Sequence, residues 1–261
     1  MSVVFITIPG NAKRDFANAL NERTDGDLQL VILQKSPKKP LIKKLFAAVR
    51  YLRWRIIIEA WYALLLRLDG NVRKALSYFG GNAKGTTDTF VVETMEVSSV
   101  NSDEVYEALQ KISPDLLVVW GSAILSPKIL STAKRAINLH LGYCPYYRGA
   151  LANHCAVLDD ELTKIGATIH FINSKADAGD ILAVIPADAE KLPQEMFNDL
   201  HTEAASTYLS IASALNRGEE LPSTPQDISV SKNFFLRDWV PSLRYKVGKK
   251  ILAWEAKMTK R

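Results

Sequence analysis

Three polar side chains in the second half of the chain have the types and spacing needed for acyl transfer to an amine. Asn138 and His140 lie two residues apart in an apolar run. Residues two apart on a β-strand point to the same side, so both side chains can serve one site. Asp177 follows 37 residues after His140 in an Ala-Asp-Ala-Gly-Asp turn and could return to face them.

Each of these residue types has a role in such a reaction. An Asn amide can donate a hydrogen bond to a developing oxyanion, which is worth about 3–4 kcal/mol when preorganised. A His can take the proton from the attacking amine, and a carboxylate can hold that imidazole and stabilise its charged form. The spacing alone leaves a structural alternative open, in which Asn138 and His140 are satisfied strand-end groups and Asp177 only shapes a turn.

The sequence around these residues resembles a known enzyme family. INLHLGYCPYYRGA (137–150), GATIHFINSKADAGDIL (166–182) and SPDLLVVWGSAILSPKIL (113–130) are similar to the folate-dependent formyltransferase superfamily. Its members include glycinamide ribonucleotide transformylase, methionyl-tRNA formyltransferase and the sugar-nucleotide N-formyltransferases. The family pattern is Asn-x-His before a Leu-Pro-x-Tyr-Arg-Gly-like loop, then a G-x-T-x-H strand and an Asp-x-Gly turn. The resemblance spans roughly residues 102–190, with looser agreement over 1–33.

The resemblance implies a set of site residues and a formyl donor. Asn138 matches the family's carbonyl-polarising Asn, His140 its catalytic His and Asp177 its catalytic Asp, with Asp180 as the rival carboxylate. The implied donor is 10-formyltetrahydrofolate, and the implied acceptor is a small molecule with a primary amine. The candidates for the folate pocket are Gly121, Ser122, Ile124, Leu125, Asn173 and Asp180.

A second candidate site follows the first predicted strand. The segment IPGNAKR (8–14) opens a helix, and backbone N–H groups at a helix start can hold a phosphate with the help of nearby cations. The glycinamide enzyme has a Gly-Asn turn here, but the second Gly of its loop is missing in this chain. The substrate-anion candidates are Gly10, Asn11, Lys13 and Arg14. The alternative is an ordinary strand-to-helix turn with solvated charges.

The remaining histidines and the two cysteines are expected to be structural. His154 and His201 fall on predicted helices and His170 on a predicted strand, where packing roles are common. Cys144 and Cys155 lack metal-ligand spacing, so no metal site is expected. Two cysteines also favour a reducing, cytoplasmic setting, and the apolar start of the chain is too short for a signal peptide.

The elements that must position these residues alternate between strands and helices. Apolar runs predict strands at 3–8, 28–33, 90–97, 116–120, 137–139, 167–172 and 181–185. Helical patterns lie between them, and the longest runs from about 194 to 217. This alternation predicts an α/β protein with a mostly parallel sheet and helices on both faces, and the resemblance implies the Rossmann-like formyltransferase fold.

Residues 35–85 depart from this alternation and predict a helical insertion after the second strand. Their helical stretch, 41–68, changes its apolar side near Leu52 and Arg53, where a break is expected. Beyond that point the apolar side comprises Trp54, Ile57, Ile58, Trp61, Leu64, Leu65 and Leu68. We expect residues 1–218 to form the catalytic domain, followed by an extension (219–261) with a basic amphipathic helix.

The charge of the chain is unevenly distributed. The formal net charge is +5, yet residues 35–58 hold eight basic residues and no acidic one, and residues 241–261 hold seven basic residues beside Glu255. The remainder is acidic overall, which argues against nucleic acid as a partner. The basic segments leave open a peripheral contact at the inner membrane surface, and residues 41–68 could also form a homodimer or hold a foreign protein.

The favoured acceptor is a nucleotide-linked amino sugar made for a surface polysaccharide. Methionyl-tRNA is not expected, because its enzyme resembles this core followed by a separate barrel domain. Glycinamide ribonucleotide remains an alternative acceptor, as does water in a 10-formyltetrahydrofolate hydrolase. A non-catalytic binding or assembly protein that uses the inserted helices is an alternative of another class.

Overall fold

The computed structural model describes residues 1–35, 55–81, 85–173 and 175–260, and it is built around a seven-stranded sheet. In chain order the strands are β1 (Val3–Thr7), β2 (Leu28–Gln34), β3 (Thr94–Val97), β4 (Leu116–Trp120), β5 (Arg135–His140), β6 (Tyr147–Gly149), β7 (Gly166–Phe171), β8 (Ile181–Pro186) and β9 (Lys232–Phe234). The large sheet has the order β3-β2-β1-β4-β5-β7-β8. Its pairs from β3 to β5 are parallel, and β7 and β8 join antiparallel.

Helices cover both faces of this sheet. They are α1 (Asn11–Arg23), α2 (Ile56–Leu68), α3 (Gly70–Ser77), α4 (Asp103–Ile112), α5 (Pro127–Leu130), α6 (Ala152–Leu158), α7 (Pro193–Asn216) and α8 (Pro241–Met258). Along β1, Val3 and Phe5 pack with α1 and α7, whereas Val4 and Ile6 pack with α4 and α5. Burial on both faces explains why the strand reads as an unbroken apolar run. The predicted α/β fold is therefore confirmed.

The strand order reverses direction between β1 and β4. In open α/β sheets, the carboxyl ends of the strands at such a switch point form a crevice that binds ligands. Tyr208 of α7 stabilises this region, because its buried hydroxyl accepts from the Val119 N–H and lies 2.9 Å from the carbonyl oxygens of Val119 and Ile137. The hydroxyl thus bridges β4 and β5 one residue before Asn138.

The helical insertion lies between β2 and β3, as predicted, and comprises α2 and α3 within the described residues. The predicted break near Leu52 and Arg53 lies outside them. The apolar side of α2 does not pack on the described part of the protein: α2 buries Glu59 and Leu66 and leaves Ile57 and Trp61 exposed. The reason is that Glu59, on the side opposite the apolar one, bonds to α8. This contact turns the Glu59 side of α2 toward the protein and the apolar side outward.

The C-terminal segment packs back onto the protein. Strand β9 pairs with β6 in a two-stranded parallel sheet, and α8 contacts α2, α3 and α6. The division at residue 218 stays a prediction. Cys144 and Cys155 are buried free thiols. Within the described residues, no helix is long and apolar enough to cross a membrane.

The strand predicted over 90–97 is shorter than expected. β3 begins at Thr94, and the preceding segment is held by side chains of α1 instead of by the sheet. Asp15 accepts from the Thr86 and Thr87 N–H groups, and Asn18 accepts from Val91 N–H. The bond from Asn18 thus satisfies the Val91 N–H, which the predicted strand would have paired.

Candidate active site

Two strands and one loop bring four polar side chains together beside the crevice. Asn138 and His140 lie on β5, and the antiparallel register pairs Asn138 with His170 on β7. The loop between β7 and β8 then returns Asp177 to the same place. The sequence predicted the meeting of Asn138, His140 and Asp177, but it assigned His170 a structural role in a strand.

Asp177 is the centre of the cluster. Its Oδ2 atom lies 3.5 Å from His140 Nδ1 and accepts a 3.0 Å hydrogen bond from Gly149 N–H. Its Oδ1 atom accepts from Asn138 Nδ2 at 3.3 Å. The backbone of Asp177 is left-handed, with φ 47°, a conformation that Asp adopts more readily than most residues. The turn thus holds the carboxylate between the two residues of β5.

His140 lies between two acceptors. Its Nε2 atom is 3.2 Å from the Tyr147 carbonyl oxygen, and its Nδ1 atom faces Asp177. A neutral imidazole has one N–H and can donate to only one of them, whereas an imidazolium donates to both. Burial lowers the pKa of His140, whereas the neighbouring Asp177 carboxylate acts to raise it. The side chain is therefore placed to accept a proton and to have the resulting charge stabilised.

The Asp177 carboxylate is held in its charged form. Burial alone would raise its pKa, but His140, His170 and the Gly149 N–H together outweigh burial and keep the pKa well below the ordinary value. Asp177 is therefore ionised at neutral pH. An ionised carboxylate orients the imidazole and stabilises its protonated form.

His170 orients the Asn138 amide. Nδ1 of His170 lies 2.7 Å from the Phe171 carbonyl oxygen, so Nδ1 carries a proton, and Nε2 is an acceptor when the ring is neutral. Nε2 also lies 3.5 Å from Asp177 Oδ1, to which the protonated ring donates. Asn138 Nδ2 lies 3.2 Å from that Nε2 atom. Asn138 Nδ2 thus lies within hydrogen-bond distance of both His170 Nε2 and Asp177 Oδ1. These two contacts set the orientation of the amide that would donate to an oxyanion.

A glycine makes room for His140. A Cβ atom at Gly142 would lie 2.2 Å from His140 Nε2 and 2.4 Å from the Ala152 Cβ. The loop after His140 reads Leu-Gly-Tyr-Cys-Pro, and the imidazole packs against its glycine.

The cluster lies on the wall of a cavity of about 570 Å³. This volume falls within the range of small-molecule sites. Five of the six predicted folate residues line it: Gly121, Ser122, Ile124, Leu125 and Asn173. Asp180 does not line it, because its side chain is exposed and its carbonyl oxygen accepts from Phe171 N–H at the start of β8. Asp180 therefore lies outside the predicted folate pocket, and it does not compete with Asp177 for the position beside His140.

The loop after β4 forms one wall of the cavity and is held by two side chains from neighbouring elements. Ala123 N–H donates to Gln34 Oε1, and Asn101 bonds both to the Ile124 carbonyl and to Ser126 N–H. Leu125 is buried, whereas Ile124 is 64% exposed and offers an apolar surface to the cavity. On the opposite loop, the Asn173 side chain bonds to Ala178 and Lys175 within the turn.

Only one of the four residues predicted to bind a substrate anion lines the cavity. Lys13 lines the cavity, and its Nζ atom lies 4.0 Å from the centre of the Trp120 ring. Arg14 instead donates to Asn11 Oδ1 and to the Asp88 carbonyl oxygen. Gly10, Asn11 and Arg14 do not line the cavity. Burial lowers the pKa of Lys13 to about 8, so this cation titrates close to neutral pH.

The far side of the cavity comes from the C-terminal segment and was missed by the sequence analysis. Asn233, Phe234, Phe235 and Leu236 line it. Their position follows from the pairing of β9 with β6, which places the segment beside Gly149. The available signal was the Phe-Phe-Leu run within a polar stretch.

The other candidate residues have packing positions. His154 stacks on Phe79 with ring centres 3.7 Å apart, and burial lowers its pKa to about 3. His201 bonds to the Phe79 carbonyl oxygen. Burial raises the pKa of Cys144 to about 12. No group of three or more His, Cys, Asp or Glu side chains suited to a metal ion occurs among the described residues.

The fold and site together define an α/β protein with an Asn-His-Asp cluster on a ligand-sized cavity at the carboxyl ends of its parallel strands. The family model for formyl transferase matches residues 80–211, just over half of the chain. The protein therefore belongs to the formyltransferase family, and the resemblance stated above is confirmed.

Individual relatives cover different shares of the chain. The methionyl-tRNA formyltransferase of Syntrophus aciditrophicus (strain SB) is 27% identical over 176 residues, which is 66% of this chain and 53% of that protein. The chain spans about half the length of the curated relatives it matches.

Two solved structures share the fold at low identity. A sugar N-formyltransferase from Shewanella sp. FDAARGOS_354 has TM-score 0.59 and 13% identity, covering 97% of this chain and 88% of that one. The sugar 3N-formyl transferase WlaRD, crystallised with dTDP and 5-N-formyl-THF, has TM-score 0.57 and 16% identity, covering 96% and 79%.

Proposed function

We propose that this protein is a folate-dependent N-formyltransferase that moves a formyl group from 10-formyltetrahydrofolate to a primary amine. The observation that carries the proposal is the position of Asp177, which contacts His140 and Asn138 on the wall of the cavity. A carboxylate, an imidazole and an amide converge where a carbonyl carbon and an amine could meet. Such a constellation can promote acyl transfer by orienting the reactants and stabilising an oxyanion.

The cavity suits a reduced pterin. The loop after β4 presents the backbone of Gly121 and Ser122 beside the apolar wall of Ile124 and Leu125. A pterin needs backbone hydrogen bonds and apolar surfaces of this kind. The bound donor supplies the electrophilic formyl carbon. Its formyl oxygen would take over one of the hydrogen bonds that Asn138 now donates.

The residues of this chain can move the one proton that must pass from the acceptor amine to the leaving group. The acceptor nitrogen forms a bond to the formyl carbon, and the bond from that carbon to N10 of the donor breaks. His140 accepts the proton that the amine loses, while Asp177 stabilises the imidazolium. The proton then goes to N10, so tetrahydrofolate leaves neutral at that nitrogen and His140 returns to its starting form.

A nucleotide-linked amino sugar is the acceptor that we propose, with a surface polysaccharide as its destination. Lys13 provides one cation on the β1 side of the cavity, and Phe234, Phe235 and Leu236 provide an apolar wall on the other side. An anionic group beside Lys13 and a sugar or base against the apolar wall fit this arrangement. The overall structural likeness to sugar N-formyltransferases also favours an amino-sugar acceptor.

The alternatives are supported by fewer features of the site. Glycinamide ribonucleotide would need a phosphate loop, and Arg14 and Asn11 are bonded to each other there. A hydrolase would use the same Asn138, His140 and Asp177 with water as acceptor. A cytoplasmic setting and the exclusion of nucleic acid as a partner stay predictions.

The test is an acceptor screen with the purified protein and 10-formyltetrahydrofolate, following release of tetrahydrofolate. We expect release to depend on a nucleotide-linked amino sugar and a formylated sugar product to appear by mass spectrometry. Release without any amine would indicate the hydrolase. Absence of release with nucleotide-linked amino sugars, glycinamide ribonucleotide and water would contradict the proposal. Asp177→Asn serves as the matched inactive control.

A further inference from the structure

The outward side of α2 carries an apolar stripe formed by Ile57, Trp61, Leu64 and Leu68. These four residues are spaced i, i+4, i+7 and i+11, so they lie on one line along about 16 Å of helix. Ile57 is 78% exposed, Trp61 59% and Leu68 72%. A helix on a globular protein ordinarily turns such a stripe toward the core. Helix α2 does the reverse.

The inward side of α2 is fixed by a buried carboxylate. Glu59 is 2% exposed, and its two oxygens accept from the backbone N–H and the hydroxyl of Ser242 at 2.8 and 2.7 Å. Tyr62 packs beside Tyr245 of α8, with ring centres 5.7 Å apart. Rotating α2 to bury its stripe would leave Glu59 without these partners, so the stripe stays outward.

Exposed cations lie near the C-terminal end of the same helix. Arg67, Arg73 and Lys249 are exposed, and the Arg73 guanidinium donates to the carbonyl oxygens of Leu66 and Arg67. The hydrogen bonds from Val72 N–H and the Tyr245 hydroxyl, and then the charge of Lys249, lower the pKa of the Asp69 carboxyl. Within residues 241–260, six basic side chains accompany one acidic residue. Exposed basic side chains therefore outnumber exposed acidic ones on α2, α3 and α8.

We propose that the stripe on α2 docks on the surface of an anionic lipid membrane. The helix would lie in the plane of the interface, with Ile57, Trp61, Leu64 and Leu68 entering the boundary between headgroups and acyl chains. A Trp ring is favoured at that depth. The exposed Arg and Lys side chains would contact the phosphate groups of the lipids. This inference does not depend on the proposed function.

Charge favours a membrane over a second copy of this chain. A symmetric dimer through the stripe would bring two identical basic surfaces together, and like charges repel. An anionic bilayer offers opposite charge and apolar depth at once. The inward side of α2 is linked to the cavity rim along the chain: Leu236 precedes Ser242, the partner of Glu59, by six residues, so their Cα atoms are at most about 20 Å apart.

The test is flotation of the purified full-length chain with vesicles. One set contains phosphatidylcholine with a minor fraction of phosphatidylglycerol, and the other contains phosphatidylcholine alone. We expect the protein to float with the anionic vesicles and to bind the neutral vesicles far less. Raising the salt from about 0.1 M to 1 M should weaken binding, because the screening length falls from about 10 Å to 3 Å.

Variants separate the stripe from general charge attraction. Trp61→Ser combined with Leu64→Ser should lower the partition coefficient at least about tenfold, because two apolar side chains no longer enter the interface. Val91→Ser is the matched control, since Val91 is an apolar residue that is 61% exposed elsewhere. Circular dichroism checks that every variant is folded.

Three results would overturn the proposal. The first is no flotation with anionic vesicles, and the second is flotation that the double variant leaves unchanged. The third is a wild-type protein that does not bind vesicles but forms a stable dimer by light scattering, which Leu64→Ser dissociates. That result would assign the stripe to an interface with a second copy of this chain.

Discussion

His170 Nε2 lies 3.2 Å from Asn138 Nδ2, so the histidine of β7 sets the orientation of the amide on β5. The proton on His170 Nδ1 is directed at the Phe171 carbonyl, so Nε2 is an acceptor for the amide when the ring is neutral. Without this acceptor the Asn138 amide is free to rotate its oxygen toward the formyl oxygen. We therefore assign His170 a positioning role.

His170→Ala should lower kcat roughly 10- to 100-fold and leave the affinity for a formylated tetrahydrofolate nearly unchanged. The reason is that the amide loses its orientation while the folate walls remain intact. His170→Gln, which can present an oxygen acceptor, should recover part of the loss. Steady-state kinetics with calorimetry separate the two effects. A loss confined to folate affinity would contradict the positioning role.

Asn138→Ala and Asp177→Asn should each lower formyl transfer at least about 100-fold with the fold intact. Asn138→Ala removes the donor to the oxyanion, and Asp177→Asn removes the charge that stabilises the His140 imidazolium. The matched control is Asp180→Asn, three residues away and exposed, which should keep near-normal turnover. If Asp180→Asn were as inactive as Asp177→Asn, the assignment of the carboxylate would be wrong.

Gly142→Ala should displace the His140 imidazole, because a methyl group there would overlap Nε2. We expect a loss in kcat of roughly 100-fold, the scale on which a 1 Å displacement acts. Gly80→Ala is the control, since a Cβ atom there meets no atom within 4 Å. Equal turnover of both variants would show that the position of His140 tolerates the change.

The pKa of Lys13, lowered to about 8 by burial, predicts a pH-dependent KM for an anionic acceptor. Lys13 is cationic below that pH and neutral above it. KM should therefore rise up to roughly tenfold between pH 7 and 9, as the protonated fraction falls to about a tenth. Lys13→Arg keeps its charge and should flatten this dependence, which also separates it from titration of the acceptor amine. An identical rise in both proteins would exclude Lys13 from acceptor binding.

Glu59→Ala should lower the free energy of unfolding by about 2 kcal/mol, because the buried N–H and hydroxyl of Ser242 lose their acceptor. Glu59→Gln keeps one acceptor oxygen and should cost less. Glu107→Ala, at an exposed position of α4, should stay within about 0.5 kcal/mol of the wild type. Urea unfolding measures all three, and equal stability of the two Ala variants would show that Glu59 does not fix α2.

The parts of the fold and site that sequence predicts well are those with local signals. The strands that carry Asn138, His140 and Leu116 to Trp120 appear as apolar runs, and the Asp177 turn has its own composition. The role of His170 was not predictable in the same way, because it depends on the antiparallel register of β5 and β7. That register is set by tertiary packing.

The sequence marked the apolar stripe of α2 but left open whether it packs on its own domain or faces a partner. Periodicity identifies an apolar side without telling what covers it. Here the contact between Glu59 and Ser242, 183 residues apart in the chain, decides the orientation. The cavity residues Phe234 and Leu236 likewise reach the site through the pairing of β9 with β6.

The central claim, that the cavity beside Asp177 receives a formylated folate, is tested most directly by calorimetric titration of the pure protein with 5-formyltetrahydrofolate, a stable analogue of the donor. We predict saturable binding of one molecule per chain in the micromolar range (~1–100 μM), typical of cosubstrate sites. Bulky substitution of the loop wall, as in Ser122→Trp, should abolish it. No saturable binding by the folded wild-type protein would contradict the assignment of the cavity.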